Sequence, residues 1–188
     1  MTLLIAGVVL WTITHLFPAA APQVREKLAR NFGEGLYKGL FALDIVIALV
    51  LIVLGWKAAA PSPIYAPPLY GSPIPSLFLV TAILFFVASA SPTNLKRFVR
   101  HPQMIAVMFW TVGHLLTNGD IRSIILFGGM GVWALLEIIF LNKRDGAWQK
   151  PSSVPRAKDA ITAIITTAVF VALVYFHSSL FGVAAIPA

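Results

Sequence analysis

RHPQMIAVMFWTVGHLLTNGD, residues 100–120, sets an apolar run between two histidines and closes it on Asn118-Gly119-Asp120. The closing tripeptide is a turn signal, because Asn and Asp hydrogen-bond their own backbone and Gly accepts any φ. The run before it is helix-forming and carries no charge after Arg100. His114 therefore lies deep in an apolar helix, whereas His101 stands at its charged threshold. An imidazole inside lipid is costly and rare, so His114 must hydrogen-bond internally or bind something.

The rest of the 188-residue chain has the same character. It is 59% hydrophobic and 11% charged, with a mean hydropathy of +0.86. Such values belong to a chain whose solvent is lipid. A hydrocarbon core of ~30 Å takes ~20 helical residues to cross. Apolar blocks approaching or exceeding that length fall at 1–17, 38–56, 75–91, 102–117, 121–141 and 159–181. The expected fold is all-α: one polytopic transmembrane helical bundle over 1–188 with six spans.

Charge placement tests that layout independently. Of the 14 Lys and Arg, loop 1–2 holds Arg25, Lys27, Arg30 and Lys38, and loop 3–4 holds Lys96, Arg97 and Arg100. Loop 5–6 holds Lys143, Arg144, Lys150, Arg156 and Lys158, which leaves only Lys57 and Arg122 for the other side. Cationic short loops stay in the cytoplasm, so both termini are expected on the non-cytoplasmic side. The net charge of +7 then needs no nucleic acid to explain it, since these cations flank spans and meet anionic lipid. Ala19-Ala20-Ala21 resembles a signal-peptide cleavage site, but no Lys or Arg precedes the apolar stretch, and the reading adopted is without cleavage. Absence of cysteine excludes disulfides, thiolate nucleophiles and thiolate metal ligands.

Between the spans, PQVREKLARNFGEGLYKG reads as a short amphipathic surface helix. APSPIYAPPLYGSPIP carries six prolines, which forbid a helix, and its Tyr65 and Tyr70 suit a membrane-interface cap. NKRDGAWQKPSSVPRAKD reads as a polar cytoplasmic linker with a turn at Asp145-Gly146. Gly128, Gly129 and Gly131 in LFGGMGVWALLE allow close approach of a neighbouring helix or a flat ligand.

His101 and His114 lie ~20 Å apart along one helix, and about 140° apart around it, so they serve no common small site. His101 is read as a boundary residue. The natural partner for His114 is His15, because Trp11-Thr12-Ile13-Thr14-His15 and Trp110-Thr111-Val112-Gly113-His114 both read W-T-x-x-H. At 3.6 residues per turn the Trp and the Thr share the histidine's face. Each motif thus offers an apolar wall, a hydroxyl and an imidazole, which together suit a planar cofactor. Spans one and four would run in opposite directions, as inverted repeats do. The two imidazoles are expected at depths differing by roughly 10 Å, too far for a single caged metal ion and within reach of a tilted bis-imidazole haem. Structural histidines fit the same pattern and stay open here. His177, near the outer end of the last span, is assigned no function. Asp44 and Glu137 interrupt apolar helices. Each is expected either to pair towards Lys38 or Lys143 at the interface, or to fix a histidine tautomer by accepting its N–H.

The set RHPQM, WTVGHLLTNGD and LFGGMGVWALLE, with an early span-one histidine and KRD after span five, resembles the NnrU family of bacterial membrane proteins. That resemblance implies a place in nitrite and nitric oxide (denitrification) metabolism, at the bacterial inner membrane. It extends to the 15-cis-ζ-carotene isomerases of plants and cyanobacteria, which are membrane haem b proteins. Their ligand positions match His15 and His114 here, with Trp11 and Trp110 as pocket walls and Thr12 and Thr111 as polar contacts. The implied partners are the lipid bilayer and a small gaseous or lipid-soluble substrate. Three functions compete: a haem b protein of nitrogen-oxide metabolism, a haem-dependent polyene isomerase, and a non-catalytic assembly or regulatory component. Whether the chain is an enzyme is left open.

Overall fold

The computed structural model describes residues 1–69 and 72–185. Among the described residues the helices are α1 (Thr2–Ala20), α2 (Pro22–Phe32), α3 (Glu34–Ala58), α4 (Ile74–Ala90), α5 (Pro102–Leu115), α6 (Ile121–Asp145) and α7 (Arg156–Phe181), with a 3₁₀ turn at Asn94–Arg97. No strand forms among them, and one isolated bridge pairs Pro63 with Asp120. Four helices, α1, α3, α6 and α7, are long and apolar enough to cross a membrane. The expected spans at 75–91 and 102–117 appear as α4, 17 residues, and α5, 14 residues. At 1.5 Å per residue these measure ~25 and ~21 Å, short of a full hydrocarbon core.

Several boundaries differ from expectation for identifiable reasons. α1 does not stop at Phe17 but runs through Pro18 to Ala20, and α2 restarts at once with Pro22 in its first turn, where a missing N–H costs nothing. α3 begins four residues early because Gly33, at φ 85°, makes the sharp exit from α2. The Arg25 guanidinium then clamps the two helices, donating to Glu34 Oε1 at 3.0 Å and Oε2 at 3.2 Å. That bond raises the Arg25 pKa above its ordinary value. Of the Pro-rich stretch, residues 60–69, 72 and 73 are non-helical, as expected, whereas its last two, Ile74 and Pro75, open α4. Its backbone follows the Asn-Gly-Asp turn: Ile64 and Tyr65 N–H both donate to Gly119 O, and Ile121 N–H donates to Ser62 O. The interface role expected of Tyr70 lies outside the described residues.

The chain divides into two compact units, residues 1–66 with 119–147, and residues 67–118 with 148–188. In the first unit α1 and α3 are antiparallel and nearly touch. A Cβ on Gly7 would stand 2.7 Å from Ile52 N, and one on Gly55 would collide with the Leu4 backbone. Leu4, Val8 and Ile52 form the core of this contact, with Trp11, Trp56, Ile125 and Leu126 packed around them. α6 runs parallel to α1, since Gly129 meets Val8 and Trp133 meets Trp11 and His15. Of the glycines expected to permit close packing, Gly129 does so, whereas Gly128 faces open space. One turn of α6, Ile124–Gly128, is π-helical.

In the second unit α4 and α5 are antiparallel. Phe109 packs between Phe78 and Phe85, each at 5.9 Å, and Gly113 gives Leu79 room against the α5 backbone. The start of α7 is tied to the 3₁₀ turn by one carboxylate. Asp159 accepts from Thr93 Oγ1 at 2.6 Å, Asn94 N at 2.8 Å and Asn94 Nδ2 at 2.7 Å. Asn94 also pairs both ways with the Val154 backbone, donating to its O at 2.9 Å and accepting from its N at 3.0 Å.

Candidate functional site

Trp11, Thr12 and His15 stand in the first unit, and Trp110, Thr111 and His114 in the second. Both W-T-x-x-H segments fold the same way locally. His15 Nδ1 lies 2.9 Å from Trp11 O, and His114 Nδ1 lies 2.9 Å from Trp110 O. A carbonyl oxygen only accepts, so Nδ1 carries the proton in each ring and Nε2 keeps the lone pair. That is the tautomer a metal-ligating imidazole adopts, with its second nitrogen oriented by a backbone carbonyl. The expectation that Asp44 or Glu137 sets the tautomer is thereby corrected for Nδ1: a helix carbonyl four residues back does it. His177 Nδ1 makes a similar bond to Val183 O at 2.7 Å, so the tautomer alone does not single out a site.

The surroundings of His15 are more distinctive. Trp11 stacks on it at 4.1 Å and 26°, Trp133 meets it edge-on at 5.2 Å, and Phe41 closes a third side at 5.9 Å. Three helices, α1, α3 and α6, therefore supply the walls of this imidazole. Within the same cluster Trp11 Nε1 is buried with no hydrogen-bond partner. One turn beyond Trp133 on α6, Glu137 is 9% exposed, and the Trp133 indole N–H is its neighbour. Tyr37, one turn before Phe41, lies under the Arg25 guanidinium. Buried donors are normally satisfied, so the Trp11 N–H in the aromatic cage is the one group of this cluster for which the described residues show no partner. The aromatic wall, the His15 Nε2 and the Trp11 N–H form a set that would fit the edge of a planar metal cofactor.

His114 is held differently. Its ring is tilted against Trp110 at 5.1 Å and 56°. Its carbonyl accepts from Thr117 N, Asn118 N, Thr117 Oγ1 at 3.1 Å and Asn118 Nδ2 at 2.9 Å, which fixes the last turn of α5. Sequence reasoning took Asn118 only as a turn residue and missed this clamp. Thr111 is 8% exposed, a buried hydroxyl on the histidine's helix. Thr12 donates to Val8 O at 2.8 Å, so as a donor it is already used, and it offers a ligand only its lone pairs.

His101 occupies the N-cap of α5, where the boundary reading puts it. Glu137 forms no ion pair with Lys143; it is buried instead. Asp44 does not pair with Lys38, whose ammonium goes to Glu34 at 3.5 Å, and Asp44 is exposed on α3. Among the described residues no group of three or more His, Cys, Asp or Glu is arranged to hold a metal ion.

A family model described as NnrU protein matches residues 3–185, nearly the whole chain. No curated protein and no solved structure matches it. The chain belongs to the NnrU family.

Proposed function

We propose that this NnrU-family chain is a single six-span domain of the bacterial cytoplasmic membrane that binds haem b through His15 and His114 and works in nitrite and nitric oxide metabolism. The observation that carries the haem is the shared local geometry of the two W-T-x-x-H segments, each of which sets its imidazole against the tryptophan one turn back, a neighbour His177 lacks. In both, Nδ1 is held by that tryptophan's carbonyl, so Nε2 is the nitrogen that would ligate. Trp11 and Trp110 flank these imidazoles, and the Trp11 indole N–H is available to a polar group at the cofactor edge. When bound, such an iron centre supplies one-electron chemistry or a coordination position for a small gas, according to its ligands and the polarity around it. The chain's own residues hold the ligands in one tautomer and pack aromatic rings against them.

Contacts inside each unit support the six-span reading. In the first, Ile121 and Arg122 bond to Ser62 and Ala59, so the start of α6 and the end of α3 share one face. In the second, Asn94 is bonded to Val154 and to Asp159 of α7, so the end of α4 and the start of α7 share one face. As helices of ~25 and ~21 Å, α4 and α5 can each cross with local thinning of the bilayer. Lys96, Arg97 and Arg100 then join the other cytoplasmic cations, with both termini outside.

A visible spectrum of the purified chain, expressed with haem supplied and taken oxidised and reduced, tests the cofactor. A Soret band is expected in wild type and in His177→Ala, and its loss in His15→Ala and His114→Ala. Equal retention in all four rules out the ligand assignment. A spectral change on adding nitric oxide supports the nitrogen-oxide role, whereas turnover of a polyene by the reduced protein would make it an isomerase.

A further inference from the structure

The second unit carries its charge unevenly. Its Lys and Arg are Lys96, Arg97, Arg100, Lys150, Arg156 and Lys158, and its one acidic side chain is Asp159. All of them belong to two segments, the turn after α4 and the linker that enters α7. Hydrogen bonds tie those segments together. Asn94 Nδ2 donates to Val154 O and to Asp159 Oδ2, and Thr93 Oγ1 donates to Asp159 Oδ1. Lys96 and Arg97 follow Asn94 closely, while Arg156 and Lys158 lie between Val154 and Asp159. Four cations from distant parts of the chain are thus stationed around one hydrogen-bonded centre, although like charges repel. Asp159 is engaged by Thr93 and Asn94, and Arg156 acts on it only through space. Lys96, Arg97, Arg156 and Lys158 form no ion pair among the described residues, whereas Arg25, Lys38 and Arg144 of the first unit are each matched by Glu34 or Asp145. In the middle of the basic turn, Phe98 is 78% exposed.

We propose that this knot is a binding site for the headgroup of an anionic phospholipid, with Arg97 from the turn and Lys158 from α7 pairing with its phosphate and Phe98 seated against its acyl chains. α7, which begins here, is long and apolar enough to cross a membrane, so the cations stand at its water-facing end. At that boundary an aromatic ring enters the acyl edge while cations stay at phosphate depth. A guanidinium meets a phosphate through two parallel bonds, and an ammonium adds a compact point charge. A zwitterionic headgroup brings its own cation into this surplus and is repelled; phosphatidylglycerol brings none. The exposed ring favours lipid over a soluble polyanion. Which leaflet the site faces rests on the six-span reading. Micelles have no sides, so a failure in the assay below leaves that reading standing, and thiol labelling at position 96 tests it separately.

Native mass spectrometry of the full chain in micelles, titrated with phosphatidylglycerol or phosphatidylcholine, tests the site. Wild type should hold phosphatidylglycerol about tenfold more tightly than phosphatidylcholine. Arg97 and Lys158 are exposed, and the double variant Arg97→Gln with Lys158→Gln should weaken the anionic lipid about 25-fold, at about fivefold for each cation. Lys27→Gln with Arg30→Gln removes the same charge from α2 and should stay within about twofold of wild type. Asn94→Ala keeps every cation but unties the knot, so it should weaken binding about threefold through lost preorganisation. Equal losses in the two double variants, no preference for phosphatidylglycerol, or displacement of the lipid by millimolar inorganic phosphate overturns the proposal.

Discussion

Replacing Gly55 by alanine tests the packing of the first unit directly. The added methyl carbon would overlap the Leu4 backbone nitrogen and stand 2.6 Å from Leu4 Cα and 2.8 Å from the Leu3 carbonyl carbon. These are backbone atoms, so no rotamer change relieves the clash. Restoring a separation of about 3.5 Å requires α1 and α3 to move apart by roughly 1 Å. Leu4 is fully buried at this contact, and a buried leucine makes on the order of 50 heavy-atom contacts of 0.1–0.2 kcal/mol each; a 1 Å gap forfeits up to about half of those on the side that opens. Helix propensity returns at most ~1 kcal/mol for Gly to Ala. The expected net loss is about 2 kcal/mol, within the usual range for overpacking. Gly39→Ala on the same helix is the control, because its methyl group meets nothing within 4 Å. Reversible unfolding of both variants in mixed micelles, followed by loss of helix signal, reads the difference. If Gly55→Ala lies within about 0.5 kcal/mol of Gly39→Ala, the close antiparallel contact is wrong.

Asn94→Ala removes both bonds to Val154 and one to Asp159; it should cost about 2 kcal/mol and make the 146–155 linker markedly more sensitive to protease, read by limited digestion in vesicles. Asp159→Asn loses the charge and sets an amide N–H against the Asn94 Nδ2 donor, so it should loosen the same knot and raise linker cleavage in the same assay. Cysteine introduced singly at Lys57 and at Lys96 should react with a membrane-impermeant thiol reagent from opposite sides of sealed vesicles; labelling from the same side contradicts six crossings.

Much of the architecture was legible in composition and period. Apolar blocks, charged loops and the proline-dense stretch located the helices to within a few residues, because each leaves a local and continuous trace. Ends were less legible. Pro18 does not stop α1, since a proline near the last turn removes only one hydrogen bond, and Gly33 rather than charge sets where α3 begins. The histidine tautomers follow from helix geometry acting on a residue four positions back, and the W-T-x-x-H repeat was their visible sign. What stayed hidden was long-range. Trp133 and Phe41 reach His15 from α6 and α3, and Asp159 reaches Asn94 across 65 residues of chain. Such pairings leave no periodicity, so sequence offered Glu137 a partner in Lys143 when its neighbour is in fact the Trp133 indole.

The π-helical turn at Ile124–Gly128 behaves like one extra residue spliced into a ratchet. Everything beyond it on α6 is rotated by about 100° relative to a helix without it. Trp133 owes its view of His15 to that offset, while Arg122, before the insertion, stays docked over Trp56. A deletion of one residue inside the turn would leave α6 apolar, helical and inserted, yet would swing the indole away from the imidazole. The indole wall and the arginine anchor are thus set independently, by a length rather than by a side chain.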